Sequence, residues 1–307
     1  MKALVTGGAG FIGSNLSRQL LHEGHEVRVL DNLLSGHKVN LTGLDLEFIE
    51  GDICCDATVD QAVKGCEVVY HLAASVGNKR SIDHPIEDSE TNVIGTLRIL
   101  EACRRHGVRK IVFSSSAGIF GELKTLPIDE SHPCEPDSPY GAGKLCAEKQ
   151  CLAYAKLYDL EAVALRYFNV FGPGQRFDAY GNVIPIFVFR LLGGEGITIF
   201  GDGEQTRDFV HVDDVVQANI RSSMTRGLSG AFNIGSGTRI SINDLVSMIG
   251  RAMGSEVKAA YGAPRPGDVR DSLADITAAR NGFGFNPSVD LEEGLVKYVA
   301  WARTVAG

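Results

Sequence analysis

Positive charge is in short supply in this 307-residue chain: 30 lysines and arginines face 38 aspartates and glutamates, for a formal charge of −8. That balance argues against an electrostatic grip on nucleic acid or on an anionic membrane. It leaves room for a small phosphate-bearing molecule, which backbone amides and a few arginines can hold. Long apolar runs are also missing. None approaches the roughly 20 residues that span a bilayer. Met1 and Lys2 pass straight into an apolar strand, leaving no space for a signal peptide, so a cytoplasmic protein is expected. Seven cysteines are scattered without any Cys-x-x-Cys pair. Neither a zinc site nor a disulfide framework is suggested, no metal is expected, and a reducing compartment fits. Gly-x-Ser-x-Gly is absent, which disfavours nucleophilic hydrolysis. Internal repeats, low-complexity tracts and charge runs are absent too.

What remains is an ordinary globular composition, 44% hydrophobic and 22% charged, long enough for one large or two medium domains. The first half alternates short apolar runs with amphipathic stretches, the pattern of a parallel sheet wound on both faces by helices. Ala3–Val5, Val27–Leu30, Leu46–Ile49, Val68–Tyr70, Ile111–Phe113 and Ala162–Leu165 are the expected strands. Gly13–Leu21, Val93–Arg104 and Ala142–Leu157 carry helical periodicity. Beyond Phe171 glycines break the chain into shorter mixed pieces. The expected fold class is therefore α/β: a doubly wound parallel sheet over residues 1–171, with a smaller mixed α/β lobe over 172–307, partly interleaved with the first.

Thr6 through Gly13 join the first strand to the first helix and satisfy Gly-x-Gly-x-x-Gly from Gly8. Such glycines let bare amides at Gly7, Gly10, Phe11, Ile12 and Gly13 approach a pyrophosphate at a positive helix end. A glycine-rich turn alone is weak evidence, but this one follows a strand, opens a helix and precedes a second strand ending in Asp31. A carboxylate there accepts hydrogen bonds from ribose hydroxyls and repels a 2′-phosphate. With Asn32 next and no arginine, NAD is expected rather than NADP. Asp52 and Ile53 follow the third strand, where an adenine would lie. Leu72, Ala73 and Ala74 follow the fourth, beside the pyrophosphate and ribose. Taken singly, Asp52 reads as a turn residue and His71 as a satisfied buried histidine.

Tyr140 and Lys144 lie four apart, hence on one helix face. A free phenol with a pKa near ~10 is a poor base at neutral pH, and a fixed ammonium beside it favours the phenolate. A positive nicotinamide lowers it further, into the range useful for general-base work. Ser114, Ser115 and Ser116 close the strand ending at Phe113, on the same sheet edge. A hydroxyl there can contact the substrate oxygen whose proton the tyrosine takes.

Thr6–Gly13, Asp31, Ser114–Ser116 with Gly121, Tyr140 with Lys144, and Leu165–Asn169 together resemble the extended short-chain dehydrogenase/reductases, and within them the UDP-hexose 4-epimerases. The likeness runs from residue 1 to about 295. It implies a Rossmann sheet, bound NAD and a UDP-sugar substrate. It also implies C4 epimerisation through a transient 4-keto sugar, with Ser116, Tyr140 and Lys144 as the catalytic set. Tyr140 and Lys144 would touch the cofactor as well. In that scheme Tyr140 takes the 4-hydroxyl proton while the C4 hydride passes to NAD⁺; the ketone turns over, and both return. Phe120 stands where many relatives carry tyrosine. A homodimer is implied, two helices per subunit forming a four-helix bundle.

For the substrate, the resemblance implies Asn169 near the diphosphate and Asn182–Val183 as a contacting turn. Arg207, and Arg265 with Asp268, fall in two arginine motifs that neutralise phosphate, work suited to a planar guanidinium. Ser272 stands where glucose/galactose-restricted members carry tyrosine, leaving volume for an N-acetyl group. Arg176 resembles an arginine of UDP-glucuronate epimerases and could serve either phosphate or a sugar carboxylate. Rival reactions on this scaffold, 4,6-dehydration and decarboxylation, call for acidic residues after the catalytic hydroxyl, where Ala117 and Gly118 stand. A non-catalytic NAD-binding regulator would need neither Tyr140 nor Lys144.

Overall fold

The computed structural model describes residues 1–177, 182–264 and 269–306. Its first half runs β1 (Lys2–Thr6), α1 (Phe11–His22), β2 (Glu26–Asp31), β3 (Glu47–Glu50), α2 (Asp56–Val63), β4 (Val68–His71), α3 (Asn78–Asp83) and α4 (Pro85–Ser89). A π-helical turn, Glu90–Gly95, joins α4 to α5 (Thr96–His106), and β5 (Lys110–Ser116), α6 (Pro139–Leu157), β6 (Glu161–Tyr167) and β7 (Asn169–Phe171) follow. The remainder comprises α7 (Val183–Leu192), β8 (Ile197–Phe200), β9 (Thr206–Arg207), β10 (Phe209–His211), α8 (Val212–Met224) and β11 (Gly230–Ile234). It ends with β12 (Ile240–Ser241), α9 (Ile242–Met253), β13 (Ala259–Gly262), α10 (Thr277–Phe283) and α11 (Leu291–Val305).

Seven strands form one sheet in the order β11-β6-β5-β4-β1-β2-β3. Every neighbouring pair in it is parallel. Parallel strands covered on both faces need apolar residues at consecutive positions, which is why Ala3–Val5, Val68–Tyr70, Ile111–Phe113 and Ala162–Leu165 are fully buried runs. One face packs on α2, α5 and α6 through Val59, Leu100, Cys103, Ala147 and Cys151. The other packs on α1, α8 and α10 through Leu16, Leu20, Val215 and Phe283. Strand order reverses between β1 and β4, and a crevice opens at the carboxyl ends of the strands there.

A separate apolar core joins α7, α9 and α11 through Phe187, Leu245, Ile249, Leu295 and Tyr298. Short two-stranded ribbons (β7 with β10, β9 with β12, β8 with β13) lie outside the main sheet. The six strands expected from the sequence are all present, and the structure adds β11 as the seventh. It also adds α2, eight residues long and too short to give a persuasive helical period.

Candidate functional site

The glycine turn is sterically obligatory. Gly7 has φ +68°, and a Cβ on it would lie 2.8 Å from Ala73 N; one on Gly13 would lie 2.2 Å from the Gly7 carbonyl oxygen. A Cβ on Gly10 would stand 3.1 Å from that same oxygen. Glycine alone therefore lets α1 start this close to β1. No side chain caps α1 at Gly10. The first-turn amides of Phe11, Ile12 and Gly13, at the positive end of the helix dipole, are left for an anionic ligand.

Asp31 is fixed at the end of β2: Oδ2 accepts Ala9 N–H at 2.9 Å and Oδ1 accepts Leu33 N–H at 2.8 Å. Asn32 donates to Asp52 Oδ2 at 2.7 Å, tying the ends of β2 and β3 together. Burial alone would raise the Asp52 carboxyl, but hydrogen bonds from Cys54 and Asn32 hold it below its ordinary value. Ile53 turns its side chain into the core against Gly95, so only its backbone is free to face an adenine. Leu72 and Ala73 donate to the Thr6 carbonyl and hydroxyl, both at 3.2 Å, which draws the 72–74 segment onto the glycine turn. His71 is held between Thr6 at 2.7 Å and Thr96 at 3.0 Å. Burial, with the nearby Lys144 charge, pushes it down to about 3. It is a neutral structural histidine. The residues present fit a dinucleotide: a Cβ-free cradle, open helix amides and a ribose-side carboxylate lie along one edge.

β5 brings its serines to the neighbouring stretch of that edge, and strand alternation separates their tasks. Ser115 points into the fold and donates to Glu148 Oε2 at 2.7 Å. Ser116 points to the cleft, where its Oγ accepts Gly118 N–H at 3.1 Å. Helix α6 is capped by Ser138, which accepts Gly141 N–H at 3.1 Å, with Pro139 at the first position. A Cβ on Gly141 would sit 2.4 Å from the Gly118 carbonyl oxygen, so glycine permits the close approach of α6 to the end of β5. Tyr140 thereby comes up beside Ser116: a Cβ on Gly118 would stand 3.3 Å from Ser116 Oγ and 3.9 Å from the Tyr140 ring. Lys144 follows on the same helix face, its Nζ 5.9 Å from the Tyr140 ring centroid, and donates to the Ser114 carbonyl at 2.9 Å.

The electrostatics differ from the simple expectation of a lysine-lowered phenol. Burial pushes Tyr140 up to about 12, the nearby Ser116 hydroxyl works against the rise, and the Asp88 carboxyl adds to it. Burial pushes Lys144 down to about 8, with Asp88 opposing. The protein by itself thus keeps the phenol protonated. The extra positive charge needed to bring it into the base range must arrive with the cofactor.

On the substrate side, Asn169 donates to the Asp208 carbonyl at 3.0 Å. Arg207 Nη1 donates to the Thr206 carbonyl at 2.8 Å and to the Arg270 carbonyl at 3.4 Å. Ser272 N–H donates to the Thr206 carbonyl at 3.1 Å, so Ser272, nearly buried, lies beside the Arg207 strand. Asn182 stands at the N-cap position of α7 without a side-chain capping bond and is exposed, with Val183 at the first helical position. Arg176 has a buried Nε without a hydrogen-bond partner among the described residues. Arg265 and Asp268 lie outside the described residues. Sequence reasoning missed Asp208, which accepts Ser236, Gly237 and Ala274 amides and braces this region. It also missed Asp88 and the Glu148–Arg166 pair; Thr-Arg-Asp and the acid four residues beyond Lys144 were the available signals.

These features define a nucleotide-sugar enzyme of the NAD-binding α/β class, and the comparisons name its family. The NAD dependent epimerase/dehydratase family matches residues 3–235, and the chain belongs to it. A UDP-glucose 4-epimerase of Mycolicibacterium smegmatis is 43% identical over 309 residues, covering 99% of each chain. The structure of a UDP-glucose 4-epimerase from Thermotoga maritima with UDP-glucose superposes with TM-score 0.95 at 40% identity, covering 100% of both chains. A UDP-N-acetylglucosamine 4-epimerase from Methanobrevibacter ruminantium, in complex with UDP-N-acetylmuramic acid, gives TM-score 0.95 at 37% identity, covering 99% of this chain and 98% of that one.

Proposed function

We infer that the chain is an NAD-dependent isomerase that inverts C4 of a UDP-hexose through a transient 4-keto sugar. The observation that carries this reading is Ser116 and Tyr140 brought together against Gly118, with Lys144 one turn on and donating to the Ser114 carbonyl. NAD, when bound, supplies a hydride acceptor that returns what it takes. Gly7, Gly10 and the amides of Phe11, Ile12 and Gly13 hold its pyrophosphate, and Asp31 with Asn32 holds a ribose. Asp52 and the Ile53 backbone lie toward the adenine, with Leu72, Ala73 and Ala74 beside the pyrophosphate and ribose. Ser116 orients the sugar 4-hydroxyl. Tyr140 takes its proton as C4 is oxidised and gives one back when the other face of the ketone is reduced. The Lys144 ammonium balances the phenolate.

Asn169, the Asn182–Val183 turn, Arg207, Arg265 and Asp268 keep the nucleotide diphosphate in place while the sugar turns. Ser272, small and nearly buried, leaves room beside the sugar 2-position. The orphaned Arg176 Nε favours a second reading, in which the sugar carries a 6-carboxylate. A dehydratase or decarboxylase is disfavoured because Ala117 and Gly118, in a short 3₁₀ turn, follow Ser116 where an acid would be needed. No helix among the described residues is long and apolar enough to cross a membrane. We place the enzyme in the cytoplasm, as a homodimer paired through α5 and α6.

Incubation with UDP-glucose, UDP-N-acetylglucosamine and UDP-glucuronate, followed by NMR of the sugar C4 configuration, tests both reaction and substrate. The epimer is expected from at least one of them, and Tyr140→Phe is expected to stop turnover with NAD still bound. Epimerisation surviving in that variant removes Tyr140 as the base.

A further inference from the structure

Helix α4 delivers to the site a carboxyl group that the reaction above leaves unused. Asp88 is 1% exposed, and neither carboxyl oxygen makes a well-formed hydrogen bond among the described residues. Interior carboxylates are ordinarily paired, because an isolated buried charge is costly. A fold that keeps one unpaired beside reactive groups has a use for its charge.

Its position suggests the use. Asp88 and Asn92, four residues apart, share one face of the helix running from α4 through the π-helical turn. That face meets α6 at Gly143, where a Cβ would stand 3.6 Å from Asn92 Cβ and 3.7 Å from Asp88 Oδ2. Gly143 lies between Tyr140 and Lys144 in the helix. Asn92 is committed elsewhere: its side chain accepts Ser75 N–H at 3.0 Å and donates to the Ser75 carbonyl at 2.9 Å. Burial raises the Asp88 carboxyl, the polar side chains of Asn92 and Ser75 temper that rise, and the cation acting on it is Lys144.

We propose that Asp88 is a positioning residue of the reaction: its buried carboxyl, seated against Gly143, supplies the negative charge that keeps the Lys144 ammonium protonated beside Tyr140 when a positive nicotinamide enters. The inference rests on the roles given above to Tyr140 and Lys144. Two positive charges in one desolvated cleft repel, and a lysine that sheds its proton leaves the phenolate without a counter-charge. Burial already pushes Lys144 down to about 8, and the Asp88 charge is the main influence opposing this.

The other groups around this pair do not replace it. His71 of β4 is neutral, Cys151 of α6 is a buried thiol pushed upward, and Glu148 is engaged by Arg166. On α3, Lys79 and Asp83 pair with each other at 2.7 Å in solvent, and Arg80 is half-buried. Glu87 and Glu90 are exposed.

Asp88→Asn keeps the shape and removes the charge. In cofactor-free protein carrying isotope-labelled lysine, with Lys144→Met to assign the signal, the NMR titration midpoint of Lys144 is expected to fall by about one pH unit. In the holoenzyme kcat is expected to drop about tenfold on the basic side of its pH profile, with KM little changed. Asp88→Glu should recover part of that limb. Melting temperature should stay level or rise, because burial disfavours the Asp88 charge in the folded state even with Lys144 acting on it. An unmoved Lys144 midpoint overturns the proposal. So does a pH-independent loss of kcat accompanied by a lower melting temperature, which would make Asp88 structural only. Should Asp88→Asn fold poorly, Asp88→Ser offers the same readouts. A Tyr140→Phe enzyme that still turns over would sink the parent reading instead, while the lysine titration without cofactor reports on Asp88 alone.

Discussion

Single side chains in this site are assigned by which way they point, and His71 shows how much that matters. It sits on the edge where a cofactor is expected, yet both ring nitrogens are satisfied by Thr6 and Thr96. Its folded value is depressed from 6.5 to about 3, so the unfolded chain binds the extra proton throughout that window. Stability is then greatest above the unfolded value and is lost as pH falls from about 6.5 through about 3. Thermal melts across that window should show a steep decline, and His71→Asn should flatten it. An unchanged slope would mean that other groups carry the acid sensitivity. The sequence reading of this histidine as a satisfied buried residue holds, but the sequence did not show which groups satisfy it. Its hydroxyl partners lie 65 and 25 positions away and meet it only once β1, β4 and α5 are packed.

Between elements, the site's geometry is set by an ion pair beneath it. Arg166 of β6 grips Glu148 of α6 at 2.8 and 3.0 Å, and Ser115 of β5 donates to the same carboxylate. Both charged side chains are essentially buried. This clamp fixes α6, and so Tyr140 and Lys144, relative to the strand carrying Ser116. Glu148→Gln leaves the guanidinium uncompensated and should cost about 3–5 kcal/mol in denaturant unfolding, the range for breaking a buried pair. Glu148→Met combined with Arg166→Met should restore much of that stability. It should not restore kcat, because the bidentate geometry that registers α6 on the sheet is gone. Full activity in the double variant would show that packing alone sets the register. The elements themselves were largely legible: buried parallel strands advertise themselves as apolar runs, and long helices as periodic ones. β11 was not, since Gly230, Ala231 and Asn233 dilute its pattern and its place beside β6 comes from tertiary packing. The clamp was equally hidden, because its three members come from three separate elements.

At the scale of the whole molecule, the face proposed for pairing carries exposed apolar groups at its ends, Ile94 in the turn before α5 and Leu157 and Tyr158 at the close of α6. Pairing through that face should give a sedimenting particle of twice the chain mass, and Leu157→Arg should shift it toward the single chain. A wild-type particle of single mass would exclude the dimer. The motif residues were readable because chemistry restricts them to a few types at set offsets. The substrate groups come together only through folding: the Thr206 carbonyl accepts both the Arg207 guanidinium and the Ser272 amide.

The sheet is completed late in the chain. After β6 the polypeptide leaves to build β7, α7 and the ribbons, then comes back so that Gly230–Ile234 lies along Val163–Tyr167 of β6. A ribosome must therefore release the chain as far as Ile234, of 307 residues, before β6 gains its outer neighbour. Until then the flank of β6 offers unpaired amides and carbonyls to any passing chain. A fragment stopped near Phe171 would keep that raw flank, so residues 1–171 expressed alone are expected to aggregate or fold poorly.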